Sequence, residues 1–405
     1  MSMPLLTPTR RVGPGWIVAY VVAGFGAQIA SQSPSTFLMP QQIAGIDPTG
    51  KIGGFAWVSA MGAVAGIIAG PLFGALSDRT RGRLGRRRPW IVGGALACAA
   101  AFVFLAAQDT VTGVAVGSLL LSVGMSAVGA GYNTTVPDQV PVTQRGLVLG
   151  WGAVPQAAAM VCGGLILAAT TTPASGYLVL AGVLVLVVPF VVVTRDPRPP
   201  AGERRPFTWK GFLDGYRIDP RRRPDYAWAL ATRFLMTLGY GIGTLYIPYF
   251  LEDVVGRPDD LLTVVAVNGA SVVALSVVSG WLSDRLGRRR ILVFAGSGVM
   301  AAAGVMLALS PTWTMTLVCA VVLGVGYGIY IGVDGALITQ VLPAAGDHGR
   351  DLAVAQLMGS LPYVIVPAAA SVILTYLGGY SGLYLVSALV SALGAVLIWR
   401  VKSVL

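Results

Sequence analysis

The sequence predicts an all-α integral membrane protein with twelve transmembrane helices in two pseudo-symmetric six-helix halves, and three observations support this. The 405-residue chain is 55% hydrophobic and only 11% charged, where an ordinary soluble domain carries about 25% charged residues. Its charges gather in short segments between uncharged stretches, and about 20 such residues suffice to cross a bilayer. One Arg-rich motif also occurs twice, 202 residues apart, which marks an internal repeat. The 53 glycines follow no Gly-X-Y period, and the apolar content excludes a disordered or collagen-like chain.

Taken in order, the stretches 12–46, 52–77, 89–108, 110–137, 234–251 (extendable back to Tyr226 past Arg233) and 261–283 fit one span each. The stretches 146–194, 291–333 and 352–399 are twice as long and are divided by Pro173, Pro311 and the Gly378-Gly379 pair. The first 15 residues lack an apolar core followed by a small-residue cleavage site, so the first helix is expected to be an uncleaved span.

With the N-terminus placed in the cytoplasm, all but three of the 28 basic residues fall on the cytoplasmic side, as the positive-inside rule requires. Lys51 and Arg257 lie outside and Arg233 lies within a span. Both termini are therefore expected in the cytoplasm of a cell whose plasma membrane the chain crosses. The net charge of +11 follows from this topology and from attraction to anionic lipid, without a nucleic-acid partner. Cys98, Cys162 and Cys319 stand at unrelated spacings, as small buried side chains do, and give neither a metal site nor a disulfide framework. There is no phosphate-cradling Gly-rich loop ending in Lys-Ser/Thr, no His cluster and no nucleophile elbow. No enzyme, cofactor or direct use of ATP is expected, which leaves gradient coupling.

The longest polar segment divides the chain into an N-terminal half (1–194), a cytoplasmic linker (195–225) and a C-terminal half (226–405). Within the linker, 207–216 has the composition of a short amphipathic helix lying on the membrane surface. Arg83-Leu-Gly-Arg-Arg87 recurs as Arg285-Leu-Gly-Arg-Arg289, and Pro141, at the end of span 4, recurs as Pro343, at the end of span 10, at the same offset of 202. Transporters built from such parallel repeats bind their substrate near the bilayer midplane between the halves.

These residues resemble the major facilitator superfamily, whose loop between spans 2 and 3 carries a Gly-x-Leu-x-Asp-Arg-x-Gly-Arg-Arg type of motif. Here it reads Gly74-Ala-Leu-Ser-Asp78-Arg79, an inserted Thr-Arg-Gly-Arg, then Leu84-Gly85-Arg86-Arg87-Arg88-Pro89-Trp90. The second copy is Gly280-Trp-Leu-Ser-Asp284-Arg285-Leu-Gly287-Arg288-Arg289. The longer first copy is similar to sucrose transporters and to the glycoside-pentoside-hexuronide cation symporters, as are Val136-Pro-Asp138-Gln-Val-Pro141 and the segment from Asp334 to Pro343. Span 5 reads Gly152-Ala-Val-Pro155-Gln156 and departs from the Gly-Pro-x-x-Gly-Gly element of drug/proton antiporters. The resemblance implies the major facilitator fold and makes spans 7 and 10 line the cavity.

An ionisable group inside a span costs roughly 2.5–3.5 kcal/mol on insertion scales, so it needs a partner or a water-filled cavity. Arg233 and Asp334 both stand about 12–14 Å from the cytoplasmic side at 1.5 Å per residue, so they can meet. Asp334 is expected to be the proton-coupling site and Arg233 its switchable partner, because a carboxylate deprived of a neighbouring guanidinium in an apolar site takes up a proton. A static ion pair, or an arginine that snorkels to the interface, are the alternatives.

Candidate substrate contacts are polar and aromatic groups sharing a helix face: Gln28 and Gln32 on span 1, Gln356, Ser360 and Tyr363 on span 11, Tyr327 and Tyr330 beside Asp334 on span 10, and Tyr240 beside Arg233 on span 7. Asn133, Gln156 and Asn268 are single polar groups at similar depth. Interhelical hydrogen bonding suits the same amides. Asp78, Asp284, Arg79, Arg86, Arg87, Arg285, Arg288 and Arg289 are expected to form cytoplasmic ion-pair networks that break when that side opens, with the motif glycines Gly74, Gly85 and Gly287 between them. Asp138 should pair with Arg145 or the Arg79–Arg88 cluster, and His348 is expected in a solvated loop.

The function expected is a proton-coupled sugar or glycoside symporter working by alternating access, a monomer with no metal site whose partners are a small-molecule substrate, protons and membrane lipid. A proton-coupled exporter of drugs or metabolites is the alternative, and a non-transporting sensor on the same fold is a third. Fold alone does not choose among them. Sodium is less expected as the coupling ion, since no cluster of oxygen ligands surrounds one acidic residue.

Overall fold

The computed structural model describes residues 11–80, 85–194, 223–341 and 348–402, and every regular element among them is a helix. The chain divides into two compact units, Met1–Gly202 and Glu203–Leu405. The first contains α1 (Pro14–Ile46), α2 (Lys51–Arg79), α3 (Arg88–Ala106), α4 (Val111–Gln139), α5 (Val142–Ala168) and α6 (Pro173–Val193). The second contains α7 (Pro224–Val255), α8 (Leu261–Leu286), α9 (Arg289–Leu309), α10 (Trp313–Val341), α11 (His348–Ser360, continued by Pro362–Tyr376) and α12 (Gly379–Arg400). Among the described residues, eleven helices are long and apolar enough to cross a membrane. In α5, 27 residues long, the apolar run counted among the described residues is Ala158–Ala168. Residues 195–222, with the 207–216 segment of the expected linker, lie outside the described residues.

These helices are apolar on every side, which suits a lipid-facing bundle rather than the one-sided burial of a soluble helix. Leu96, Val192, Val277 and Leu309 are all more than 60% exposed, as is sensible only if hydrocarbon covers them. Prolines mark the boundaries the sequence suggests. Pro173 opens α6 behind a capping box between Thr172 and Ser175, and Gly378 turns the chain into α12 at φ +87°. At the start of α2 the Asp47 carboxylate accepts from the Gly50 N–H and the Thr49 hydroxyl, both at 2.9 Å. The Gly50 bond first, then Thr49, holds this carboxyl below its ordinary range. This support for the helix start is therefore present at neutral pH and is lost as pH falls through the lowered value. His348, expected in a loop, stands at the first residue of α11, and its side chain lies outside the described residues.

The two units use one packing scheme. α2 and α3 pack on α4, α3 packs on α6, and α1 packs on α5 and α6. In the second unit α8 and α9 pack on α10, α9 packs on α12, and α7 packs on α11 and α12. Close backbone approach between helices suits membrane bundles, where van der Waals contact replaces the hydrophobic effect as the driving force. α1 and α7 each contain a π-helical turn, at Pro34–Leu38 and Leu251–Val255. The repeated Arg motif also keeps its local shape: Gly85 and Gly287 both take left-handed backbone, at φ +94° and +64°, a conformation that costs other L-residues about 1–2 kcal/mol.

Candidate transport site

In the second unit, α7 and α10 bring Arg233 and Asp334 together. One guanidinium nitrogen of Arg233 donates to Asp334 Oδ2, and the other terminal nitrogen donates to Gln356 Oε1 of α11 at 2.8 Å. The side chains of Arg233 and Asp334 are 17% and 7% exposed, so the arginine does not snorkel to the interface. Tyr330, one turn before Asp334, donates its hydroxyl to Asp334 Oδ1 at 2.8 Å. Both carboxylate oxygens are thereby occupied, as a buried charge requires.

An aromatic array continues from this pair along α10 toward α7. The rings of Tyr327 and Tyr330 lie 5.8 Å apart. Tyr240 stacks on Tyr327 at 3.8 Å with the planes 9° apart and donates to Asn268 Oδ1 at 2.7 Å. Asn268 in turn donates to the Ala320 carbonyl at 2.9 Å, and Tyr363 of α11 stands beside Tyr327. Asp334, Arg233, Tyr330, Tyr327, Tyr240, Asn268, Gln356 and Tyr363 thus form one connected cluster. Ser360 donates to the Gln356 carbonyl of its own helix.

Gly359 is a member of this site that the sequence does not single out. A Cβ at this position would lie 2.9 Å from Arg233 Nε, so the guanidinium lies across bare backbone. Gly359→Ala is expected to displace Arg233 and lower gradient-driven uptake about tenfold. The unfolding temperature should hold or rise, since alanine favours the helix by about 1 kcal/mol. Equal losses of uptake and stability would count against a positioning role.

The first unit holds a cavity of about 200 Å³ between α1, α4 and α5. Gly24, Ala27, Gln28 and Ser31 line it as one i, i+3, i+4, i+7 stripe, facing Tyr132 and Asn133 of α4 and Pro155 of α5. Gln28 and Asn133 are therefore brought together. Gln32, paired with Gln28 in the sequence reading, is not in the lining, because the stripe ends at Ser31. The side chain of Gln156 lies outside the described residues. Tyr132 was missed, although the repeat points to it: it stands 202 residues before Asp334. Its hydroxyl donates to the Tyr20 carbonyl at 3.0 Å, and its ring stacks on Tyr20 at 4.6 Å.

At the first Arg motif, Arg87 is 3% exposed and pairs with Asp138 Oδ2 at 2.8 Å, while its other arm donates to Ser77 Oγ at 2.9 Å. The expected partner of Asp138 thus comes from the Arg79–Arg88 cluster. Arg88 donates to the carbonyls of Val192 and Thr194, capping the end of α6. In the second copy, Arg289 donates to the Ala336 carbonyl and Arg285 lies 5.3 Å over the Trp281 ring. The side chains of Asp78, Asp284 and Arg145 lie outside the described residues. Among the described residues no group of His, Cys, Asp and Glu is gathered as metal ligands.

A duplicated six-helix membrane bundle with an ion pair buried between two of its spans defines a multi-pass transporter. The chain belongs to the Major Facilitator Superfamily, whose sequence pattern matches residues 16–312 and 258–404. It is 30% identical over 200 residues to the probable nitrate/nitrite antiporter NarK1 of Thermus thermophilus, a match covering 45% of this chain and 42% of that protein. The chain therefore spans less than half the length of this curated relative. Among solved structures, a mutant of the nucleoside transporter NupG matches 96% of this chain and 100% of its own at TM-score 0.74 and 12% identity. A POT family transporter in complex with a thioalcohol-conjugated peptide matches 95% of each chain, also at TM-score 0.74 and 12% identity. At that identity these two structures show the fold alone.

Proposed function

We propose that this protein is a proton-coupled symporter importing a sugar or glycoside across the plasma membrane by alternating access, as a monomer with both termini in the cytoplasm and a cytoplasmic linker at 195–225 between its six-helix halves. The observation that carries this reading is the buried Arg233–Asp334 pair, inside spans where an unpaired charge is costly. In one conformer the pair is closed. In the other, Asp334 separates from Arg233 and takes a proton, while Gln356 retains its hold on the guanidinium. The bound proton then crosses with the substrate, and re-formation of the pair expels it.

The polar cavity of the first unit supports a small hydroxylated substrate. Its volume lies below the roughly 300–1,000 Å³ of sites for drug-sized ligands, which disfavours the exporter of amphipathic drugs. Gln28, Ser31 and Asn133 offer both donors and acceptors, and Tyr132 offers a ring face. In the second unit, the Tyr240–Tyr327 stack and Asn268 offer a ring face and an amide of the same chemistry. Arg87, before α3, and Asp138, in the last turn of α4, act as a latch in this cycle. The longer form of the first Arg motif favours the sucrose-transporter and glycoside-pentoside-hexuronide branch.

Nitrate antiport is the reading the curated relative suggests. An anion substrate would need uncovered positive charge, whereas Arg233, ten residues into α7, is covered by Asp334. The test is uptake of labelled monosaccharides and disaccharides into proteoliposomes under an inward proton gradient. Concentrative uptake of a sugar, dissipated by a protonophore, supports the proposal. Exchange of nitrate, or counterflow of a cationic dye, with no sugar uptake overturns it.

A further inference from the structure

Asp334 accepts two hydrogen bonds that differ in kind. Its Oδ2 takes one from Arg233 of α7, and its Oδ1 takes one at 2.8 Å from the hydroxyl of Tyr330, four residues earlier on the same helix. Residues four apart share a helix face and keep their spacing while the helix stays regular. The Tyr330 bond therefore travels with α10, whereas the Arg233 bond joins two helices and breaks when they part. Arg233 is tied away from α10 as well, since its second terminal nitrogen donates to Gln356 of α11.

The surroundings hold Tyr330 in place. It is 2% exposed and packs in a core with Val293, Met300, Val333 and Leu337, so a turn toward another acceptor would displace close-packed side chains. Few other charged or titratable groups face the carboxylate. α7 brings Arg233, with Tyr226 and Tyr240 seven residues to either side, and α10 adds Tyr327, its ring 5.8 Å from that of Tyr330. α11 brings Tyr363 beside Tyr327, and the side chains of Arg350 and Asp351 at its start lie outside the described residues. α9 brings Arg289, which donates to the Ala336 carbonyl instead, and α8 carries no titratable residue from Leu261 to Ser283. The repeat supplies a contrast: 202 residues earlier stand Val128 and Tyr132, so the first unit has neither the phenol nor the carboxyl at these positions.

We propose that Tyr330 is a positioning residue for proton coupling: its hydroxyl holds Oδ1 of Asp334 throughout the cycle, so that Oδ2, the oxygen released by Arg233, is the one that takes the proton. This inference rests on Asp334 being the coupling site. With the pair open, a proton from water on the outer side binds Oδ2, and Oδ1, now the carbonyl oxygen of the neutral acid, still accepts from Tyr330. When the pair re-forms, that proton leaves to water on the cytoplasmic side and Oδ2 accepts from Arg233 again. A hydrogen bond to an ionised carboxylate is stronger than one to the neutral acid, so the Tyr330 hydroxyl also favours release.

The experiment is an infrared titration of the full chain in vesicles, following the carboxylic-acid band that Asp334→Asn removes. In Tyr330→Phe, which keeps the buried ring, the midpoint of that band is expected to move to higher pH by about one unit, the size of one hydrogen bond to a charged group. Sugar uptake by the variant should fall at neutral interior pH and recover when the vesicle interior is made about one unit more alkaline, a rescue that a loss of packing would not produce. Tyr330→Met removes the same hydroxyl and carries the test if Tyr330→Phe does not fold. An unshifted midpoint in a folded variant overturns the role of Tyr330 while leaving Asp334 as the coupling site. Absence of any Asp334-dependent band overturns the coupling reading and this inference with it.

Discussion

Asp334→Asn is expected to abolish concentrative uptake while leaving substrate exchange intact. The asparagine oxygen accepts from Arg233 while its NH2 donates to the Tyr330 hydroxyl, so the site keeps its shape, but it has no proton to bind and release. In proteoliposomes with an imposed proton gradient, the inside-to-outside ratio of substrate should fall to about one, the equilibrium value for a carrier whose conformational step no longer depends on protonation. Counterflow without a gradient should persist, and its pH dependence should flatten. If the pair were purely structural, the outcome would be reversed: the variant would lose unfolding temperature yet still accumulate substrate. Arg233→Ala separates the two further. It leaves a buried carboxylate unpaired and should destabilise by about 3–5 kcal/mol, whereas Asp334→Asn removes the counter-charge of Arg233 but keeps its hydrogen bonds to the asparagine and to Gln356 and should destabilise less.

Asp138→Ala should destabilise the first unit by about 2–3 kcal/mol. It removes the carboxylate from Arg87, 3% exposed, and leaves the bond to the Ser77 hydroxyl in place. The loss falls below the 3–5 kcal/mol of a fully buried pair because Asp138 itself is 36% exposed and partly solvated. A drop in unfolding temperature of roughly 5–10 °C in detergent solution would register it. The repeat provides a control. The position 202 residues later is Gln340, uncharged and exposed, and Gln340→Ala should change stability by no more than about 0.5 kcal/mol. Similar losses in both variants would mean that the Arg87–Asp138 bond contributes little.

Much of the fold was legible in the sequence because a bilayer imposes a one-dimensional rule: uncharged stretches of span length must cross, and charges mark the turns. Pro173, Pro311 and Gly378 divided the long stretches correctly for the same local reason, since they cannot continue a regular helix or do so poorly. The Arg233–Asp334 meeting was also legible, because two opposite charges at equal depth have few other solutions in hydrocarbon. The partners around them were harder to read. Gly359 serves by the absence of a side chain, and nothing in its neighbours announces a guanidinium passing over it. Gln32 looked equivalent to Gln28 by helical spacing, yet spacing fixes a face and not the height at which a cavity ends. Tyr132 is an uncharged side chain of a kind common in spans, and its position 202 residues before Asp334 is the signal that marks it.

The long separation of the buried pair also bears on how the chain is made. Arg233 precedes its partner by 101 residues, with α8 and α9 between them. At a synthesis rate of about 5–20 residues per second, α7 is available to the insertion machinery roughly 5–20 s before Asp334 has been polymerised. For that interval its guanidinium has no carboxylate to meet, and nascent α7 must wait at the translocon, or lie near the water interface, until α10 emerges. Assembly of the second unit is thereby ordered in time: the helix that bears the positive charge can settle at its final depth only after the helix that neutralises it.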